Sequence, residues 1–202
     1  MRRKSFDRLI SVTGLFIGAV LIVAGSLLSW AHSFVGDEVH SQLAAQQVYF
    51  PAKNSPAIAA PEFAAMRQYA GQQLTTGAQA EVYADHFIAN HLKAIGGGRT
   101  YAQLSAQAQA DPTNTKLAAT VETVFKGETL RGLLLNAYAF GTMGTIAGVA
   151  AIAAFIAAAV MLLLGGLGLW HGRRTPDSTE IFGGPPPARD RLLASAPGTS
   201  PR

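Results

Sequence analysis

The sequence predicts an all-α membrane protein, in which two transmembrane helices flank a small exterior helical bundle and a disordered C-terminal tail follows. Three observations predict it. Charged residues make up 14% of the 202, against about one quarter in ordinary soluble domains, and none falls within residues 9–36 or 132–172. No stretch shows the period-two alternation, rich in β-branched residues, that marks a strand. Basic side chains sit directly outside the uncharged runs: Arg2, Arg3, Lys4 and Arg8 before the first, Arg173 and Arg174 after the second.

Residues 1–8 form a basic leader, and residues 9–31 (LISVTGLFIGAVLIVAGSLLSWA) form the first predicted transmembrane helix. At about 1.5 Å per residue this run crosses a hydrocarbon core of about 30 Å. Trp30 ends it, an amphipathic ring suited to the headgroup level. Ser29-Trp30-Ala31 also fits a signal-peptidase site, but the apolar run exceeds the roughly 7–15 residues of a signal h-region. A retained anchor is therefore favoured.

Small residues are patterned within this helix. Ser11, Gly14, Gly18, Gly25 and Ser29 fall in a sector of roughly 60° at 100° per residue, and Gly14–Gly18 is a G-x-x-x-G pair. In the second apolar run Gly144 and Gly148 are also four apart. Such smooth stripes let backbones approach closely in lipid, where no hydrophobic force drives association. The seven positions are the candidate helix-packing interface, either between the two helices or between protomers.

Residues 32–132 form the predicted exterior domain. Phe34, Val35, Val39 and Leu43 extend the first helix to about Gln47, and Tyr49-Phe50-Pro51 and Asn54-Ser55-Pro56 mark an irregular connection. A short helix starts at Pro61. Thr76-Gly77-Ala78-Gln79 reads as a capping box, opening a helix with Ala84, Phe87, Ile88, Leu92 and Ile95 on one face. Gly96-Gly97-Gly98 stops it. Residues 100–110 favour helix but lack an apolar face, which places them on the surface. After Asp111-Pro112-Thr113, a helix restarts near 113–115 with Leu117, Val121, Val124 and Phe125 inward and a Glu122–Lys126 pair outward.

That helix leads into residues 133–170, an interfacial segment followed by the second transmembrane core at 146–170. The flanking basic clusters put both termini in the cytoplasm and the middle segment outside. Residues 171–202, with Pro185-Pro186-Pro187 and no apolar face, form the cytoplasmic disordered tail.

Composition bounds function by exclusion. The ends hold nine basic side chains against Asp7, Asp177, Glu180 and Asp190, whereas the middle holds seven basic against eight acidic. The basic balance thus belongs to membrane topology, and no nucleic-acid partner is expected. The absence of cysteine removes disulfides, thiolate metal sites and cysteine nucleophiles. His86 and His91 are five apart and diverge on a helix, so they do not share a metal. His91 falls on the apolar face and His86 opposite, with Asn90. Glu81 and Asp85 share a face with the nature of solvated charges. Gly96-Gly97-Gly98 lacks the Lys-Ser/Thr of a phosphate-binding loop. No catalytic, cofactor or metal-binding residues are assigned.

Four stretches carry a resemblance: QLAAQQVYFP at 42–51, YAGQQLTTG at 69–77, YADHFI at 83–88 and GETLRGLLLNAY at 127–138. Over roughly residues 1–174 the chain resembles a family of two-helix membrane proteins of unknown function from actinobacteria-like bacteria. Some members carry an automatic label of aromatic ring-opening dioxygenase. That label implies a non-haem iron held by two histidines and a carboxylate, and the divergent His86 and His91 do not supply such a set. The resemblance implies topology and a bacterial plasma membrane.

Three functions follow as alternatives. The first is a non-enzymatic accessory or scaffolding component of a membrane complex, with the lipid bilayer, another membrane protein or a second copy as partner. The second is an exterior sensor or ligand-binding module that signals through its anchors. The third is a metal-dependent enzyme using Glu81, Asp85 and His86.

Overall fold

A computed structural model describes residues 3–174, with side chains from residue 6 onward. The chain is an all-α protein in which two long apolar helices flank a small helical bundle. Helix α1 spans Arg3–Ala45, and short 3-10 segments cover Pro56–Ile58 and Pro61–Tyr69. Helix α2 spans Gly77–Val82, a π-helical segment covers Tyr83–Ile88, and α3 spans Ala89–Ile95. Helix α4 spans Tyr101–Ala110 and α5 spans Thr115–Arg174. The tail from 175 onward lies outside the described residues.

At about 1.5 Å per residue, the 43 residues of α1 and 60 of α5 far exceed a bilayer's hydrocarbon core of about 30 Å. Both are long and apolar enough to cross a membrane, and only 17% and 11% of their most apolar windows is buried. A core helix of a soluble protein would be mostly buried. Here Phe16, Val23, Leu27, Trp30, Ile152, Leu163 and Trp170 are exposed instead, as lipid-facing side chains are.

The chain divides into two compact units. The first comprises Met1–Gly25 with Ala153–Arg202, the second Ser26–Ile152. In the first unit, α1 and α5 approach through small residues. A β-carbon added at Gly14 would lie 3.8 Å from the Met161 carbonyl oxygen, and one at Gly18 3.0 Å from Leu162 Cδ2. One at Gly165 would lie 3.1 Å from the Ser11 carbonyl oxygen, and one at Gly25 3.1 Å from the Phe155 ring. The buried small residues recur every seven positions: Ser11, Gly18 and Gly25 on α1; Gly144, Ala151, Ala158 and Gly165 on α5. A seven-residue repeat is the signature of supercoiled pairing.

The second unit holds the bundle. At the end of α1 the chain turns through Gln47 in a left-handed conformation (φ 52°) and forms a single antiparallel bridge, Tyr49 to Gln73. Phe50 N–H donates to the Gln72 carbonyl and Leu74 N–H to the Val48 carbonyl, both at 2.9 Å. Gln73 Nε2 donates to the Ala44 carbonyl at 2.8 Å, satisfying an orphan acceptor at the end of α1. Arg67 holds the 3-10 connection by donating to the carbonyls of Ile58, Ala59 and Ala60.

The expected capping box opens α2. Thr76 Oγ1 accepts from Gln79 N–H at 3.2 Å, and Gln79 Oε1 accepts from the N–H groups of Thr76 and Thr75. Beyond it the helix departs from expectation. Ala80, Ala84, Ile88 and Leu92, four apart, are all buried. In an α-helix each four-residue step overshoots a turn by about 40°. The π-helical segment, with more residues per turn, keeps these four on one face. It also turns Ile95, predicted inward, out to 47% exposure.

Two other expectations are corrected. Residues 100–110 do form a helix, capped by Thr100 and Gln103, but it is anchored rather than superficial, because Leu104 is wholly buried. Phe125, predicted inward, is exposed and lies 5.5 Å from the Tyr101 ring. The inward face of α5 runs through Val124 to Leu134, with Leu92 resting over Gly127. Asn114 begins α5 by accepting from Leu117 N–H at 3.0 Å.

Candidate functional site

The second unit presents two open depressions and one ion cluster. Both depressions are positioned by α1 and α5, which run on from their apolar spans as unbroken helices, and the ion cluster joins the π-helical segment to α5.

The first depression is an apolar groove of about 620 Å³ along α1 and α5. Its floor includes the buried Leu43 and Leu134; its lips are the exposed Phe34, Leu133 and Phe140. Glu38, Gln42 and Asn136 supply polar groups at the edge.

The second is a polar recess of about 470 Å³ formed by α1, the 75–78 turn and α5. His32, Asp37, His40, Tyr138 and Thr142 line it. His32 is set by the backbone: its Nδ1 donates to the Gly144 carbonyl at 2.7 Å. The ring fits because α5 has no side chain beneath it. A β-carbon at Gly148 would lie 2.9 Å from His32 Nδ1, and one at Gly144 3.2 Å from Val35 Cγ1.

Replacing Gly148 by alanine is therefore expected to displace the ring and break this hydrogen bond. The cost should be about 0.5–1.5 kcal/mol. Thermal unfolding of the full chain in detergent checks it. The Gly148→Ala effect should largely vanish in a His32→Ala background, whereas additive losses would show that the ring and the notch are not coupled.

The ion cluster ties the π-helical segment to α5. Arg131 donates to Asp85 Oδ1 at 2.7 Å and lies 3.6 Å from Glu128. The hydrogen bond to Asp85 raises the Arg131 guanidinium above its ordinary value. Burial alone pushes the Tyr83 hydroxyl above the usual tyrosine range. Tyr83 belongs to an aromatic cluster with Phe50 at 5.4 Å and Phe87 at 4.9 Å. These groups pack and pair with one another, which gives them structural roles.

Of the seven predicted packing residues, Ser11, Gly14, Gly18 and Gly25 lie against α5 within the first unit. Gly144 and Gly148 lie against Val35 and His32 of α1 within the second. Ser29 does not join them: it is exposed. A fixed 100° wheel keeps Ser29 beside Ser11, but a seven-residue repeat drifts by about 20° per heptad. His32 takes the position instead.

His91 is exposed rather than a core side chain. Its Nδ1 donates to the Phe87 carbonyl at 2.7 Å, and its ring lies 4.3 Å from Phe87. Asn90 donates to the His86 carbonyl at 2.8 Å. Asp85 is engaged by Arg131, which separates it from the Glu81, Asp85 and His86 set. Among the described residues no group of three or more His, Cys, Asp or Glu is arranged to hold a metal ion.

Sequence reasoning missed the polar recess. His32 and His40 were visible as residues eight apart in a helix, but the 75–78 turn and Tyr138 reach the same place only through the tertiary fold. The four sequence stretches 42–51, 69–77, 83–88 and 127–138 join one another in pairs. The first pairs with the second through the bridge at Tyr49, and the third pairs with the fourth through Asp85 and Arg131. No family model matches the chain, and neither a curated protein nor a solved structure matches it.

Proposed function

We propose that this membrane protein is a non-enzymatic accessory or scaffolding component of a membrane complex. In this reading both termini are cytoplasmic and the bundle faces the exterior, as the flanking basic clusters favour. The observation that carries it is the apolar groove outside the membrane spans, with Phe34, Leu133 and Phe140 exposed along its lips. A groove between two helices receives a third helix through apolar anchors spaced along one face. The occupant is a helix of a partner membrane protein. A partner helix crossing the bilayer beside α1 and α5 would continue into the groove without a break, because both helices themselves continue without one.

The small-residue stripe supports the same choice of surface. Its glycines are in contact with the chain's own second helix, so a partner must be met elsewhere. The test is a native pull-down of the tagged full chain from mild-detergent membranes, with partners identified by mass spectrometry. A stoichiometric membrane protein is expected with the wild type. It should be lost when Leu133 and Phe140 are both replaced by Gln, while membrane insertion is retained. A partner that persists in the double variant would rule out the groove. Recovery of this chain alone would overturn the accessory reading. It would shift support to the sensor reading, which the unbroken helices from bundle to membrane also favour.

A further inference from the structure

The polar recess gathers side chains that the fold leaves unspent. The Asp37 carboxylate, the His40 ring and the hydroxyls of Tyr138 and Thr142 line it, and among the described residues none makes a hydrogen bond to the protein. Tyr138 is half-buried, whereas Asp37, His40 and Thr142 are exposed. His32 is different, because its orientation is already committed. Gly144 O can only accept, so Nδ1 carries the proton of the neutral ring and Nε2 is left as an acceptor. The atoms nearest a β-carbon at Gly148 are Nδ1, Cγ and Cε1, which turns the Nε2 edge away from α5. The recess thus offers two kinds of group. Asp37 and His32 Nε2 accept hydrogen bonds; the Tyr138 and Thr142 hydroxyls and the His40 ring can donate them.

Its depth is as informative as its chemistry. On α1 the lining begins at His32, directly after the apolar span 9–31. On α5 it ends at Thr145, directly before the apolar core 146–170. Both helices therefore put the recess at the level of the lipid headgroups, where amphipathic side chains meet the interface.

We propose that the recess binds the headgroup of a phospholipid bearing a primary ammonium. The ammonium N–H groups are received by the two oxygens of the Asp37 carboxylate. The phosphodiester oxygens accept from Tyr138, Thr142 and His40. A quaternary ammonium has no N–H to give these acceptors, and a glycerol headgroup brings no positive charge to Asp37. The site therefore selects phosphatidylethanolamine over phosphatidylcholine and phosphatidylglycerol. The selectivity is about fivefold, as one exposed ion pair allows.

The test is native mass spectrometry of the full-length chain released from nanodiscs holding equal parts of the three lipids. Wild type should retain phosphatidylethanolamine in preference to the other two. Asp37→Asn should reduce its retention to that of phosphatidylcholine. Tyr138→Phe, which touches only the shared phosphate, should lower retention of all three lipids together. Circular dichroism of each variant verifies that the helices remain. Equal retention of the three lipids by the wild type would overturn the assignment, as would a preference that survives Asp37→Asn. Glycerophosphoethanolamine carries the same headgroup without acyl chains, and it should not compete. Displacement by it at equal concentration would assign the recess to a water-borne ligand and overturn the lipid reading.

Discussion

Substitution of Gly77 by leucine is expected to separate α2 from α5 and to cost about 3 kcal/mol. A β-carbon at this buried position would lie 3.0 Å from the Ala137 carbonyl oxygen, 3.2 Å from Tyr138 Cα and 3.3 Å from Gly141 Cα. All three are backbone atoms of one helix, so no rotamer change relieves the clash. The approach is reciprocal, since a β-carbon at Gly141 would lie 3.3 Å from Gly77 Cα. Gly77 is needed for closeness and not for an unusual backbone, because it is absent from the glycines with positive φ. Gly36 provides the control. It has open space around it and an ordinary helical backbone, so Gly36→Ala should be neutral or mildly stabilising through helix propensity. Thermal unfolding of the full chain in detergent, with hydrogen exchange of residues 77–95, reads both. A Gly77→Leu protein that unfolds at the wild-type temperature with unchanged exchange would show that α2 does not rest on α5 there.

The contrast between these two glycines shows where sequence reasoning reaches and where it stops. Local sequence puts Gly36 inside α1 and Gly77 at the start of α2, but only the tertiary approach of α5 makes Gly77 intolerant of a side chain. Features written in local chemistry were legible: the uncharged runs, the Thr76–Gln79 capping box, the glycine stop at 96–98 and the break at Asp111-Pro112. Two of the failures share one cause, a helical wheel applied with a fixed 100° step. It placed Ser29 in the stripe where the seven-residue repeat brings His32. It placed Ile95 inward, where the π-helical segment turns it out. Over a helix as long as α1, small departures from 3.6 residues per turn accumulate until the facing residue changes.

The polar recess was illegible for a further reason. Its lining comes from residues 32–40, 75–78 and 138–145, and neither period nor propensity links stretches so far apart in the chain. Each residue alone reads as unremarkable: a boundary histidine, a surface aspartate, an interfacial tyrosine. His32 carried a partial signal, because a histidine in register with a stripe of small residues needs a partner for its ring nitrogen. Gly144 and Gly148, singled out for close packing, supply both the acceptor and the space.

Truncation of Leu104 to alanine is expected to release α4 from the bundle at a cost of about 2–5 kcal/mol. Leu104 is wholly buried, and it is the single buried residue of a ten-residue helix otherwise made of Ala, Gln, Ser and Tyr. Isolated helices of this length are marginal in water, so the Thr100–Gln103 capping box cannot hold α4 without a tertiary anchor. The side chain packs over the end of α3, where a β-carbon at Gly96 would lie 3.4 Å from Leu104 Cδ1. Losing it leaves a cavity beside the glycine turn, and the turn has no bulk with which to collapse into it. The expected signature is selective: amide exchange across 101–110 should accelerate strongly while the apolar spans stay protected. Tyr101→Ala, which removes a more exposed contact to Phe125, should cost far less. If Leu104→Ala leaves α4 as protected as in the wild type, the helix is held by something other than this one side chain, and the bundle is less dependent on single apolar anchors than its composition implies.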